Sequence, residues 1–274
     1  MENKVWFITG TSRGFGKVWA KAALKRGDKV AATARNIDSL NDLVKEFGDN
    51  ILPLQLDVNN RQEGINAVNK AKEHFGKIDV LINNAGYGLF GALEENSEEE
   101  IRAQFETNFF GAIWITQAAL PIMRKQGNGH IIQTSSIGGV MAFPTIGVYN
   151  ASKWALEAVS EALAQEVAAQ GIKITIVEPA GYSTDWDGAS AKQSNAMEEY
   201  VQVKENLMEM WKDIPMGDPE ATDEAILKIV NAENPPLRLF LGAMPYKAVK
   251  GVYANRLKEW DDWNDVAVKA QGSM

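Results

Sequence analysis

The chain contains no cysteine, and that single absence removes a disulfide framework, a thiolate metal site and a cysteine nucleophile together. Its chemistry must use oxygen, nitrogen or a cofactor. Histidine is almost as scarce. His74 and His130 fit no metal-ligand spacing, and His130 opens a strand-like run at the end remote from a ligand, so both read as structural or exposed and no metal is expected. Positive charge is short as well: Lys+Arg 28 against Asp+Glu 36 leaves a net charge of -8 over 274 residues. That field repels phosphate backbones and anionic membrane surfaces, so neither nucleic acid nor a membrane is an expected partner. No apolar run approaches the ~18 residues needed to cross a bilayer. The start, Met1-Glu2-Asn3-Lys4, leads straight into a strand-like run without a signal peptide's apolar stretch, so a soluble cytoplasmic protein is expected. There is no internal repeat or low-complexity segment. Length and composition point to one domain over residues 1–274.

What the chain does have is a regular alternation of short apolar runs and helical patterns. Val5 to Thr9 is a strand-like run that stops at Gly10; Gly14 and Gly16 follow, and then a helical pattern through Val18, Ala22 and Leu24. The loop reads T-G-x-x-x-G-x-G, which differs from the G-x-G-x-x-G dinucleotide fingerprint. A glycine turn between strand and helix nevertheless lets backbone amides approach a pyrophosphate and presents the positive end of the helix to it. After the next strand, Lys29 to Ala34, Arg35 stands 19 residues beyond Gly16. An NAD site places an acid there for the ribose 2′-hydroxyl; a guanidinium suits a 2′-phosphate, and Arg13 inside the loop adds a second cation.

Further strands are read at Ile51–Leu56, ending at Asp57 and Val58, and at Ile78–Ile82, ending at Asn83-Asn84-Ala85-Gly86. The fifth, His130–Thr134, delivers Ser135 and Ser136, with Gly138 and Gly139 beyond; the sixth, Ile172–Val177, breaks at Pro179 into Gly181-Tyr182-Ser183-Thr184; the seventh is Leu237–Leu241. Continuous apolar strands alternating with helices imply a parallel sheet covered on both faces, with its ligand beyond the carboxyl ends. A helix opened by Ser97 with Glu98, Glu99 and Glu100 runs past Asn108 and Trp114. Tyr149-Asn150-Ala151-Ser152-Lys153 starts a long helix to Gln170, placing a phenol and an ammonium at i and i+4 on one face. A lysine cation beside a phenol stabilises the phenolate and lowers its pKa from ~10, which makes a tuned acid/base. Residues 186–217, rich in Met and aromatics, read as a helical insertion covering a substrate. Residues 246–274 read as a helical tail whose stripe of Val249, Val252, Tyr253, Leu257 and Trp260 must pack somewhere, with fraying after about Val268.

Taken in order, the glycine loop, Asn83-Asn84-Ala85-Gly86, Ser136 and Tyr149 with Lys153 closely resemble the short-chain dehydrogenase/reductase family over about residues 3 to 185. Asn84-Ala85-Gly86-Tyr87-Gly88-Leu89-Phe90-Gly91 and Gln104-Phe105-Glu106-Thr107-Asn108 look most like its bacterial carbonyl reductase branch grouped with 17β-hydroxysteroid dehydrogenase-like members. The resemblance implies an α/β fold: a three-layer, doubly wound parallel sheet of seven strands (Rossmann) with a helical substrate lid after strand six. It implies Tyr149 as general acid/base, Lys153 lowering its pKa and holding the nicotinamide ribose, Ser136 binding the substrate oxygen, and Asn108 anchoring a water relay to Lys153. The cofactor site would comprise Gly10, Ser12, Arg13, Gly14, Phe15 and Gly16, then Arg35, Asp57 and Val58, then Asn84, Ala85 and Gly86, and finally Tyr149, Lys153, Pro179, Gly181 and Thr184. The expected substrate pocket is Leu89, Phe90, Gly138, Val140, Met141, Tyr182 and Trp186, an apolar wall without an obvious cation.

The expected activity is NADP(H)-dependent reduction of a hydrophobic ketone, and the reverse oxidation, in a homodimer or homotetramer. A reductase of 3-oxoacyl groups and a catalytically silent NADP(H) sensor are the alternatives. One departure stands out: the family usually has Pro-Gly after strand six, where this chain has Pro179-Ala180.

Overall fold

The computed structural model describes residues 3–272 other than 185, 187 and 189. Seven strands form one parallel sheet: β1 (Val5–Ile8), β2 (Lys29–Ala34), β3 (Ile51–Gln55), β4 (Val80–Asn83), β5 (Gly129–Thr134), β6 (Ile172–Pro179) and β7 (Arg238–Leu241), in the order β3-β2-β1-β4-β5-β6-β7. The chain leaves β1 for one edge and returns to β4 on its other side, so the carboxyl ends of β1 and β4 flank a topological switch point where ligands bind in such sheets.

The strands lack polar alternation because both faces are covered. Trp6 and Ile8 point into one core with Trp19 and Leu24 of α1 (Gly14–Lys25), Leu43 of α2 (Asn41–Phe47) and Ile226 and Ile229 further on. Phe7 points the other way, into a core with Val68 of α3 (Arg61–Phe75), Leu81 and Ile131. Two further helices follow, α4 (Glu98–Phe105) and α5 (Gly111–Gln126), the latter giving Ile115 to the second core. Leu163 and Val167 of α6 (Gly147–Val167) complete that layer. Glycine ends α3 and α5: Gly76 (φ +83) and Gly127 (φ +71) take the left-handed conformation that lets the chain turn back toward the sheet.

The expected helix past Asn108 runs unbroken from Glu98 to Gln126, opened by the capping box of Ser97 and Glu100, with residues Glu106–Phe110 forming a π-helical turn between α4 and α5. A π turn inserts one residue into the helical spiral and redirects the side chains around it, and Asn108 sits within it, buried.

The segment after β6 differs from the helical insertion expected for 186–217. Among the described residues its first half holds turns and no helix, and Lys192–Gln193 pairs in parallel with Leu89–Phe90. Helix begins only with the turn Glu198–Tyr200 and α7 (Val201–Trp211). Residues 187 and 189 of this segment lie outside the described residues. After α8 (Asp223–Asn231), the tail helix α9 runs from Pro245 to Ala270, past the point where fraying was expected. Val249 anchors its start against Ile137 and Val140, but Leu257, Trp260 and Trp263 stay exposed. The stripe expected to pack therefore packs within this chain only at its first turns. Arg256 lies over the rings of Trp154, 5.2 Å away, and Tyr253, 5.1 Å away.

Candidate active site

The loops after β1 to β6 open into a common cavity of about 1070 Å³. Its dinucleotide side starts from the turn after β1. Asn84, at the end of β4, donates from its amide to the carbonyls of Thr9 and Gly10, each at 3.0 Å, and so ties the switch point closed underneath. Gly14 has φ +54, and the first turn of α1 has neither an acidic residue nor a side-chain cap, which leaves its N–H groups turned to the cavity. Gly16 stands below the wall: a Cβ there would collide with the Gly10 carbonyl, so this glycine is needed for packing the turn. Ser12, Arg13, Gly14 and Phe15 line the cavity, as do Arg35 at the end of β2, Asp57 and Val58 at the end of β3, and Asn84, Ala85 and Gly86 at the end of β4. Amide donors at a helix N-terminus with two guanidiniums are the donor set that a dinucleotide's phosphates require, so these residues fit such a cofactor. Pro179, Gly181 and Thr184 line the opposite rim. Ala180 lacks a positive φ, its N–H donates to Leu241 across to β7 (3.2 Å), and its methyl rests near Gly242, so the fold accepts the extra carbon without backbone strain.

Ser136, Tyr149 and Lys153 meet in the same cavity. The Ser136 hydroxyl accepts from the Gly138 amide at 3.0 Å, which fixes its direction, and a Cβ on Gly138 would come within 3.3 Å of the Tyr149 ring. Lys153 donates to the Thr134 carbonyl at 2.7 Å, and its Nζ is 5.9 Å from the centre of the Tyr149 ring. Burial pushes the Tyr149 phenol up to about 12, with the Ser136 hydroxyl opposing it, and pushes Lys153 down to about 8, with the charge of Glu157 opposing that. Burial is the largest influence on the Tyr149 phenol, while the Lys153 ammonium donates to the Thr134 carbonyl. Asn108 lies just behind the wall. Its side chain holds the Tyr87 backbone from both sides, accepting from N–H and donating to C=O at 3.0 Å each, and a Cβ on Gly86 would fall 3.1 Å from its Oδ1 and 3.6 Å from Lys153 Nζ.

On the substrate side, Trp186 caps the centre: its ring is 5.0 Å from Tyr149 and 5.2 Å from Phe90. Gly88 is what admits it, because a Cβ there would sit 2.8 Å from the indole. Phe90, Gly138, Tyr182 and Trp186 line the cavity as expected from the sequence. Leu89, Val140 and Met141 do not: Leu89 is buried, and Val140 and Met141 turn into the small core with Ile137 and Val249. Side chains alternate along the strand at Leu89–Phe90, so one of the pair faces inward whenever the other faces the ligand.

Leu207, Trp211 and Met216, of the segment expected to cover a substrate, line the cavity; Tyr87 and Phe143 went unread, as did two cations, Lys192 and Lys204. The wall is therefore not free of positive charge. Lys204 pairs with Glu95 at 2.6 Å, and Glu95 also accepts from the amides of Ala92 and Met197, each at 2.7 Å, pinning the start of the α7 segment to the loop after β4. Burial works to raise the Glu95 pKa, but its bonds from Lys204, Met197 and Ala92 hold it below the ordinary glutamate value. The only available sequence signal was an acid three residues after Ala92, the pattern of a helical cap. His130 is buried against the Thr175 hydroxyl at 2.9 Å and pushed down to about 4 by burial, and no group of metal-ligating residues occurs among the described residues. No described helix is long and apolar enough to cross a membrane.

The family model for short chain dehydrogenase matches residues 4–195. An oxidoreductase of Botryotinia fuckeliana is 42% identical over 243 residues, 87% of this chain and 89% of its own length. A 3-ketodihydrosphingosine reductase of Bacteroides thetaiotaomicron is 38% identical over 254 residues, 89% of this chain and 90% of its own. Among solved structures, a short-chain dehydrogenase from Streptomyces avermitilis matches with a TM-score of 0.93 at 36% identity over 98% of both chains. An alcohol dehydrogenase from Thermococcus sibiricus complexed with 5-hydroxy-NADP gives 0.75 at 28% identity over 89% of this chain and 98% of that one.

Proposed function

The chain belongs to the short-chain dehydrogenase/reductase family and is an oxidoreductase using a nicotinamide cofactor; from that premise we propose that it reduces hydrophobic ketones to secondary alcohols with NADPH, and runs the reverse oxidation. The observation that carries this reading is Trp186 tilted against Tyr149 and Phe90 with ring centres at 5.0 Å and 5.2 Å, an aromatic roof over the reacting centre. Arg35 and Arg13 on the dinucleotide wall favour a 2′-phosphate, since no acid lines the end of β2 where the 2′-hydroxyl of NAD would bind.

The cofactor, when bound, supplies the hydride and its electron pair to the carbonyl carbon. The chain's residues do the rest. Ser136, aimed by the Gly138 amide, donates to the carbonyl oxygen and stabilises the negative charge that develops there. Tyr149, protonated at neutral pH because burial raises it, gives its phenolic proton to the same oxygen, so ketone, hydride and proton become the alcohol. Lys153 balances the phenolate left behind, and solvent reprotonates Tyr149. Asn108 holds the Tyr87 backbone and stands beside Lys153 across Gly86, where a water relay would reach the ammonium. The roof of Trp186 and Phe90 rewards buried apolar area at about 25 cal/mol per Å².

The test is kcat/KM along a series from acetone through acetophenone to bicyclic ketones, with NADPH and with NADH. A rising series with NADPH preferred is expected. Small hydroxy acids or sugars outperforming every aryl ketone would overturn the substrate class, and equal use of NADH would overturn the cofactor. Lys192 in the wall favours one second reading, a ketone carrying an acidic group, and oxo acids belong in the series for that reason.

A further inference from the structure

We propose that the buried carboxyls of Glu157 and Glu178 share a single proton and that this pair, behind Lys153, is a positioning element for the reaction. The functional half of the statement rests on the reading of Tyr149 and Lys153 given above; the shared proton does not. Glu157 lies on α6 one turn after Lys153, and Glu178 is the last residue but one of β6. They are 4% and 0% exposed, and neither lines the cavity, so substrate cannot reach them. Oε1 of Glu157 and both oxygens of Glu178 find no hydrogen-bond donor, and the two carboxyls crowd around one group, Arg238 Nε, which stands 3.1 Å from Oε2 of Glu157 and 3.5 Å from Oε1 of Glu178. Two bare carboxylates around one guanidinium in an apolar interior would repel strongly, and a proton held between them both removes that repulsion and gives the orphaned oxygens a donor.

The charges around the pair call for the same count. Arg238 on β7 donates from Nε to Glu157 at 3.1 Å, stands 3.5 Å from Glu178, and donates from Nη2 to Glu161 on α6 at 2.7 Å. Glu161 is half in solvent, so the one guanidinium is left to balance one buried negative charge, not two. Lys153 faces the pair from α6, and the turn after β5 contributes only the Ser135 hydroxyl, packed so closely that a Cβ on Gly139 would collide with it. Burial first, and for Glu178 the neighbouring carboxylate next, raise both acids.

Two routes connect the pair to the chemistry. Ser135 directly precedes Ser136, and the charge of Glu157 favours the ammonium form of Lys153 against its burial. A shared proton keeps that support at one charge.

An acid whose pKa is raised by folding contributes stability that is present at low pH and is lost as pH rises through its folded value. The first measurement is infrared absorption of the full-length protein at neutral pH, where a protonated-carboxyl C=O band is expected in the wild type and absent in Glu178→Gln. Melting curves from about pH 5 to about pH 9 form the second. Wild type minus Glu178→Gln should slope downward with pH, and the variant should be the more stable at the alkaline end. For ketone reduction, Glu157→Gln should move the alkaline limb of kcat to lower pH, about three- to tenfold less kcat at about pH 9, because Lys153 loses its proton earlier. Glu178→Gln, which keeps the charge on Glu157 beside Lys153, should leave that limb in place, whereas Glu157→Gln leaves it only on Glu178. Absence of the band in the wild type, its persistence in both variants, or parallel melting curves would overturn the shared proton. An unmoved limb in Glu157→Gln would overturn the positioning. The spectrum and the melts decide the first point even if Tyr149 proves not to be the acid.

Discussion

The two walls of the cavity are built by different means. The dinucleotide wall consists of short loops leaving rigid parallel strands, and much of it stands within three positions of a strand end, as Gly10, Arg35, Asp57 and Asn84 do. The substrate wall is a long excursion after β6, closed at its base by a bridge between Tyr182 and Gly217 and fastened to the rest by a two-residue ladder at Leu89–Phe90, by Ser194 with Asn96 and Glu100, by Tyr200 with Glu94, and by the Glu95 carboxylate. A strand end is placed by the whole sheet and is costly to move; the excursion is placed by a few contacts and is the part that substitutions can reshape. Conservative changes on the first wall should alter affinity for the cofactor while leaving its geometry intact, whereas changes on the second should alter which substrates fit.

The largest effect expected belongs to neither wall but to the centre they enclose. Tyr149→Phe should reduce kcat about 10²- to 10⁴-fold, the usual range for a positioned acid/base, while cofactor affinity measured by fluorescence stays nearly unchanged. Lys153→Ala should damage both. Because burial sets the phenol at about 12, the difference in tyrosinate absorbance between wild type and Tyr149→Phe should stay flat to about pH 10 in the protein without cofactor. An ionisation near neutrality would mean that Lys153 tunes the phenol unaided.

Arg35→Asp comes next and tests the first wall. A charge-assisted contact to an exposed phosphate contributes about 1.5 to 3 kcal/mol, so NADPH affinity should fall roughly ten- to a hundredfold and NADH affinity should hold or rise. Equal affinities in the parent would remove the assignment.

Glu95→Ala tests the second wall. It unties the amides of Ala92 and Met197 and the ammonium of Lys204 at once. KM for bulky ketones should rise about three- to tenfold with little change in cofactor binding. Since the Glu95 carboxyl sits below its ordinary value, the stability it lends is complete above the usual glutamate range and is lost as pH falls through its folded value. The same rise in KM should therefore appear in the wild type on acidification and be absent from the variant.

The same contrast explains what could be read beforehand. Strand ends and the glycine turn were legible because apolar runs stop where the sheet stops, and the residue after each stop falls at the ligand edge; Arg35 and Asp57 follow from that alone. The ordered motifs carried Ser136, Tyr149 and Lys153 in the same way. Asn108 could be named, but the π turn that carries it could not, since a one-residue insertion in a helical spiral leaves no mark in apolar spacing. Glu95 and Lys204 were out of reach because 109 positions separate them and no local pattern relates them. Facing was misjudged at Leu89, Val140 and Met141, where being near a sheet edge was taken as facing the ligand; a single step along the chain reverses that.

The smallest effect expected is the sharpest test of that last distinction. Met141 stands three residues after Gly138, which lines the cavity, yet Met141 itself does not line it and packs with the cluster of Ile137, Val140 and Val249. Trp186 is farther along the chain but lies on the Tyr149 ring at 5.0 Å. Met141→Ala should thus cost about 1 to 3 kcal/mol of stability by opening space in that small core, seen as a lower melting temperature, while the order of kcat/KM among ketones of increasing size stays as in the parent. Trp186→Ala should do the reverse: it removes an aromatic roof of ~150 to 250 Å² from the substrate and should lower kcat/KM for bicyclic ketones about tenfold more than for acetone, with little change in melting temperature. If Met141→Ala reorders the substrates as Trp186→Ala does, then the cavity reaches into the cluster beneath α9, and the substrate wall has a second layer that the residues lining it do not reveal.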